Sequence, residues 1–259
     1  QATMGLVPAA RLFQSIPISL PNTVSVTTAG GAIDLAGNLP GLTLGTLNIG
    51  QAGTTNFTVT SVSGRQLNFQ NTNLQAPSAT VNLTVNGAVG LGRTVDGDNT
   101  GLILNKLGSG QLIVDNNAGG GSANDLDGTT LRLSSGRTLV SASNVAGTTI
   151  PIAGALVDIN GGNLVLDTKV GDYTFTNNIN VSTSGGIEIV PSVVTINHNT
   201  GVTTINAGQT LTYTTYGGQN GGGAVRGSLL NVAGQITGAG NLVKANVQTN
   251  TEDGNSAQT

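Results

Sequence analysis

The chain has 259 residues, among them 40 glycines, no cysteine and no tryptophan, and only 8% are charged. A formal charge of −3 gives no basic field for nucleic acid or an anionic membrane, and a chain without cysteine cannot use disulfide staples. No apolar run reaches the roughly 18 residues of a membrane helix, while 37% hydrophobic content is too high for a charge-dominated disordered chain.

Residues 1–22 read as an N-terminal arm or cap. Pro8, Pro17 and Pro21 interrupt every apolar stretch in it, and with no basic start it is not a signal peptide. Gln1 is not an initiator methionine, so the chain is expected to be processed or to be part of something longer. LPNTV (Leu20 to Val24) is near a sortase signal but lacks the glycine and stands at the wrong end.

From residue 23 to 246 the pattern is period two, with no helical spacing sustained over ten residues. TVSVTT (23–28), NFTVTSV (56–62), TVNLTVN (80–86), TTLRLSS (129–135), NLVLDT (163–168), YTFTNNINVST (173–183) and VTTINA (202–207) read as strands. Each is rich in β-branched residues and bounded by Gly or Asn. In NLVLDT the alternation predicts Leu164 and Leu166 inward, with Val165 pointing out or near a corner. Residues 247–259, VQTNTEDGNSAQT, carry no apolar pattern and read as a tail or linker.

A glycine followed by a Leu-x-Leu-like strand recurs at Gly41, Gly64, Gly110, Gly136, Gly162, Gly186, Gly208 and Gly240. The spacings are 23, 46, 26, 26, 24, 22 and 32 residues, as though one copy between 64 and 110 had degenerated. A period near 24 suits one rung of a solenoid. The predicted fold is therefore an all-β, single-stranded parallel β-helix of about ten rungs. At about 4.8 Å per rung it makes a rod of roughly 50 Å.

NKLGSGQLIVDNN (105–117), DGTTLRLSSGRTLV (127–140), GVTTINAGQTLTY (201–213) and GAGNLVK (238–244) resemble the autotransporter-associated β-strand repeat. That repeat alternates a lysine-glycine-x-glycine-x-leucine strand with glycine-threonine-threonine and alanine-glycine-x-leucine strands. It occurs in passenger regions of large secreted bacterial surface proteins. The resemblance covers about half of the chain, in pieces from 105 onward, and implies a right-handed coil. Leu107 departs from it by standing between Lys106 and Gly108, and no stretch of these 259 residues reads as a translocator barrel.

Groups able to do chemistry are sparse. His198, the only histidine, lies in TINHNTG and reads as a solvated corner. No Gly-x-Ser-x-Gly elbow accompanies it, and one His without Cys does not make a zinc site. Two carboxylate pairs remain, Asp96/Asp98 in VDGDNTG and Asp125/Asp127 in NDLDG. Residues two apart on a strand share a face, so each pair is a candidate acid and base for a glycosidic bond. The bland alternative is a polar turn. The same four residues are the candidate Ca²⁺ ligands, since GGGSANDLDG (119–128) is similar to a Ca²⁺-binding nonapeptide occurring once. No other cofactor is suggested.

NFT, NLT and NVS at Asn56, Asn82 and Asn180 fit the glycosylation sequon. GGQNGGG (217–223) reads as a flexible excursion from a corner of the solenoid. Taken together, the residues predict a non-enzymatic structural or adhesive protein, extracellular or on a bacterial surface, in a fibre, sheath or surface layer. Its expected partners are copies of itself and cell-surface glycans, with no nucleic acid and no membrane insertion. The alternative is a β-helix that binds or degrades polysaccharide, such as a lyase, hydrolase or tailspike, through the Asp pairs.

Overall fold

The computed structural model describes residues 18–35, 41–61, 65–98, 100–115, 124–141, 152–167, 173–189, 195–198, 201–220, 224–227 and 229–249. The fold opens with β1 (Ile18–Leu20), β2 (Val24–Ser25) and β3 (Gly31–Leu35). Strands then alternate between two sheets: β4 (Leu42–Ile49), β5 (Thr54–Ser61), β6 (Gln66–Leu74), β7 (Thr80–Asn86), β8 (Ala88–Val95) and β9 (Leu102–Leu107). They continue as β10 (Gln111–Asp115), β11 (Thr129–Leu133), β12 (Arg137–Ser141), β13 (Leu156–Asn160) and β14 (Asn163–Asp167). Beyond Asp167 the coil gains a third side: β15 (Tyr173–Phe175), β16 (Ile179–Thr183), β17 (Gly185–Ile189), β18 (Thr195–His198), β19 (Thr203–Ile205) and β20 (Thr210–Asn220). The last strands are β21 (Ala224–Gly227), β22 (Leu229–Val232), β23 (Ile236–Gly238) and β24 (Asn241–Thr249).

The first sheet stacks β1 and β2 on β4, then β6, β8, β10, β12, β14, β17, β20 and β24. The second stacks nine strands from β3 to β23, and the third holds β15, β18 and β22. Among the described residues every pairing is parallel except the β20–β21 hairpin. The protein is a parallel β-solenoid.

Stacking in register turns the alternation of each strand into columns. One interior column of the first sheet runs Leu42, Leu67, Val89, Leu112, Thr138, Leu164, Ile187 and Tyr213. Its second-sheet counterpart runs Phe57, Leu83, Lys106, Leu133, Ile159, Val181 and Ile205. Nearly all of these side chains are fully buried. Each buried aliphatic side chain contributes about 1.5–3 kcal/mol, so a narrow interior suffices when every coil adds several.

The glycine of the repeat has a steric cause. Gly87, Gly110, Gly136 and Gly162 immediately precede the paired residues Ala88, Gln111, Arg137 and Asn163, and so stack at one corner. A Cβ on Gly110 would fall on the Gly87 backbone, and one on Gly162 would lie 3.0 Å from the Leu133 carbonyl oxygen. Coils can approach here only without side chains. The seemingly missing copy in the 46-residue gap is this corner at Gly87, followed by β8 rather than by Leu-x-Leu.

Several boundaries differ from expectation. Residues 18–20, placed in the arm, pair in parallel with Leu42–Leu44, and residues 247–249, placed in the tail, continue β24. Residues 1–17 and 250–259 lie outside the described residues. The run 173–183 is two strands, not one. Asn177 donates to the carbonyls of Ile152 (2.6 Å) and Ala155 (2.7 Å) and turns the chain between the third sheet and the second.

Within the glycine run, Gly217–Asn220 pairs antiparallel with Ala224–Gly227. The excursion is therefore a β-hairpin extending β20, not a floppy corner; residues 221–223 lie outside the described residues. Leu164 and Leu166 point inward as expected. Val165 does not behave as an exposed residue. It is fully buried yet outside the central cluster, between Leu139 and Glu188 on the outer face. Glu188 reaches back from that level to Arg137 and Asn163.

Candidate functional site

The aspartate pairs come together at one corner, on neighbouring coils. Val95 bridges to Asp125, the Asp96 N–H donates to the Asp125 carbonyl (2.9 Å) and the Asp125 N–H to the Thr94 carbonyl (2.9 Å). The Asp96/Asp98 pair does not share a face. Gly97 and Asp98 both adopt φ of 62°, which ends the strand and puts Asp98 in solvent while Asp96 stays fully buried. On the next coil the buried Leu126 separates a half-buried Asp125 from an exposed Asp127.

Inside, Asp96 continues the phase of the inward Thr94, two residues before it. Its Oδ2 accepts from the Thr129 hydroxyl at 2.7 Å and its Oδ1 from the Asp98 N–H at 3.2 Å. Burial raises its pKa above the ordinary 3.8; the Thr129 bond opposes this, and the negative charges of Asp125 and Asp127 add to it. Among the described residues no group of three or more His, Cys, Asp or Glu side chains is placed to hold a metal ion. Asp96, Asp98, Asp125 and Asp127 share a corner without forming a calcium cage, and the Asp96 carboxylate serves as an internal tie between coils.

Lys106 is the group that sequence reasoning did not single out. It lies in an aliphatic column between Leu83 and Leu133 and is fully buried. Its Nζ donates to the carbonyls of Gly108 (2.6 Å), Gly110 (2.6 Å) and Ser135 (2.8 Å), the last on the next coil. Three acceptors match the three hydrogens of an ammonium group. Burial lowers its pKa from 10.5 to about 8, so it remains a cation at neutral pH. The signal was in the phase: in LILNKL the residues Leu102, Leu104 and Lys106 share the inward face.

His198 is not a solvated corner. It is buried in the third sheet, in register with Phe175 and Val232, with its ring 5.0 Å from that of Phe175. Nε2 donates to the Asn177 carbonyl at 3.2 Å, and Nδ1 has no hydrogen-bond partner among the described residues. Burial lowers the imidazole pKa below 6.5, and the Asn177 bond opposes the fall. With the folded value depressed, the stability His198 contributes is present above pH 6.5 and is lost as pH falls through the folded pKa. Urea midpoints of the wild type are expected to drop between pH 7.5 and pH 5. His198→Leu flattens that slope, and an unchanged slope in the variant would place the acid sensitivity elsewhere.

The outer face of the second sheet carries a polar column: Asn56, Asn82, Asn105, Arg132, Asp158, Asn180 and Thr204 are in register. Asn82 donates to Asn56 and Asn105 to Asn82, each at 2.9 Å. Arg132 Nε meets Asp158 at 2.8 Å, and Asn180 and Ser182 donate to the same carboxylate. The three sequon asparagines thus sit in strands, their amides engaged in coil-to-coil bonds. On the first sheet Arg137 bonds Glu188 at 2.8 Å across the intervening strand.

The arrangement defines the class of protein, a parallel β-solenoid with side-chain ladders inside and out. No family model, curated protein or solved structure matches the chain.

Proposed function

We propose that the chain is a non-enzymatic structural element, a β-solenoid that associates end to end in an extracellular or bacterial-surface fibre, sheath or layer. The observation that carries this reading is the last described coil. Leu242 stands in register with the buried Leu211, and Ile236 with the buried Thr203. Both occupy interior positions, yet Leu242 is 49% exposed and Ile236 40%. Among the described residues β24 pairs only with β20, leaving its other edge open over nine residues. An open parallel edge above an apolar interior is a template for another strand.

The polar groups support the same reading. Lys106, Asp96, Asp158 and Glu188 are engaged in bonds that tie one coil to another. The surface setting rests on the charge-poor, cysteine-free composition and on the repeat resemblance. The test is sedimentation velocity with negative-stain imaging over rising protein concentration. Rods that lengthen with concentration are expected, and Leu242→Lys should hold them at single-subunit length. Isolated particles at every concentration would overturn the reading.

A further inference from the structure

We infer that His198 is the pin of an acid-opened flap: a proton on its ring releases the third sheet, β15, β18 and β22, from a two-sheet body that stays coiled. The device belongs to a single chain and works whether or not chains associate end to end.

The ring is satisfied on one side only. Its Nε2–H is spent on the Asn177 carbonyl at 3.2 Å, which fixes the neutral tautomer and leaves the lone pair on Nδ1. Nδ1 is buried and has no hydrogen-bond partner among the described residues. A Cβ on Gly201 would fall on the Asn177 carbonyl and 2.9 Å from Nε2, so backbone closes that edge of the ring. Phe175 and Val232 flank His198 in its column. A proton arriving at Nδ1 therefore creates a buried N–H and a positive charge with no acceptor to receive them.

The surrounding strands supply no counter-charge. β18 has no other titratable residue and β22 has none; β15 has Tyr173, and a tyrosine ordinarily titrates near about 10. β16 and β19 carry no charged residue. Tyr213 of β20 is buried, which pushes its own titration higher still. Glu188 of β17 is engaged on the outer face with Arg137 and Asn163.

The third sheet is also where the coil gives most easily. β15 pairs with β18 over three residues and β18 with β22 over four, whereas β5 pairs with β7 over seven. The His198 carbonyl accepts from the Ala233 and Gly234 N–H groups at 2.9 and 2.8 Å, so the turn after β22 hangs on the same residue. The described coils before Asp167 have neither the third sheet nor a histidine. Solenoid stability is a sum over neighbouring contacts, so opening the third side leaves those coils paired.

The test is amide hydrogen exchange of the full chain from pH 7.5 to pH 5, corrected for the intrinsic pH dependence of exchange. Exchange in β15, β18 and β22 is expected to quicken by about threefold or more while β6, β10 and β12 keep their protection. His198 is the only histidine, so one imidazole proton resonance reports its titration, and its midpoint should coincide with the opening. His198→Leu should remove the acid response of the third sheet; the resonance serves as the readout if that variant does not fold. Equal loss of protection in all sheets, or an imidazole that titrates while the third sheet stays protected, would overturn the flap. So would a loss confined to β8 and β11, since Asp96, bonded to Thr129 between them, would then be the acid-sensitive group.

Discussion

Lys106→Met is expected to lower the stability of the solenoid by about 3 kcal/mol, although methionine fits the aliphatic column better than lysine does. Two effects oppose each other. Removing the ammonium relieves its desolvation, worth about 3 kcal/mol at neutral pH for a fall in pKa from 10.5 to about 8. Against this stand three carbonyl bonds of 2.6 to 2.8 Å. Charge-assisted bonds are worth about 1.5–3 kcal/mol each, and a buried acceptor left unmatched costs about 1–3 kcal/mol. Gly108 retains the Ser135 hydroxyl at 3.1 Å and Gly110 a long contact from the Arg137 N–H at 3.4 Å, which limits the loss without cancelling it.

The pH dependence of that difference has a fixed sign. The folded pKa of Lys106 is depressed, so the unfolded chain holds the proton longer as pH rises. Wild-type stability therefore gains between pH 8 and 10.5, and the Met variant lacks the gain. The gap between the two chemical-denaturation midpoints should widen over that interval. A Met variant as stable as the wild type at pH 7 would mean that the carbonyls have other partners once the lysine is gone.

Lys106 also shows how far the sequence can be read. The parallel coil was legible because every coil repeats one instruction: a glycine where backbones touch, then an alternation with one aliphatic face. The 46-residue gap hid a coil because Gly87-Ala88-Val89 keeps the corner glycine and the inward Val while losing the Leu-x-Leu signature. The third sheet was hidden for another reason. YTFTNNINVST alternates almost throughout, and only tertiary acceptors for the Asn177 amide, supplied a coil earlier by Ile152 and Ala155, show where it turns.

The candidate site was legible in location and not in geometry. Two DG-containing turns a coil apart brought Asp96 and Asp125 to one corner. That Asp96 goes in while Asp98 goes out depends on positive φ at Gly97 and Asp98, which spacing alone does not reveal. His198 failed as a corner residue because the chain places Phe175 and Val232 in its column, and those lie 23 residues before it and 34 after.

The glycine column gives the second large effect, separable into its physical parts by two substitutions. Gly136 has φ of 65° and Gly208 has φ of 74°, so alanine at either meets the same left-handed backbone cost, about 1–2 kcal/mol. Space distinguishes them. A Cβ at Gly208 meets nothing within 4 Å, whereas one at Gly136 would lie 2.6 Å from the Gly108 carbonyl oxygen, 2.7 Å from that of Gly110, and against Lys106 Nζ. Those carbonyls cannot retreat, since Lys106 is holding both, and relief would require parting two coils. Gly208→Ala should therefore cost about 1 kcal/mol, and Gly136→Ala more than about 3 kcal/mol with the Lys106 bonds disrupted. At about 2–4 °C per kcal/mol for a chain of this size, the two melting curves should be clearly apart. Because a solenoid's stability is a sum over neighbouring coils, the Gly136 variant should lose amide hydrogen-exchange protection first in β10 and β12. Equal melting temperatures for the two variants would show that backbone conformation alone, and not the contact between coils, selects glycine at this corner.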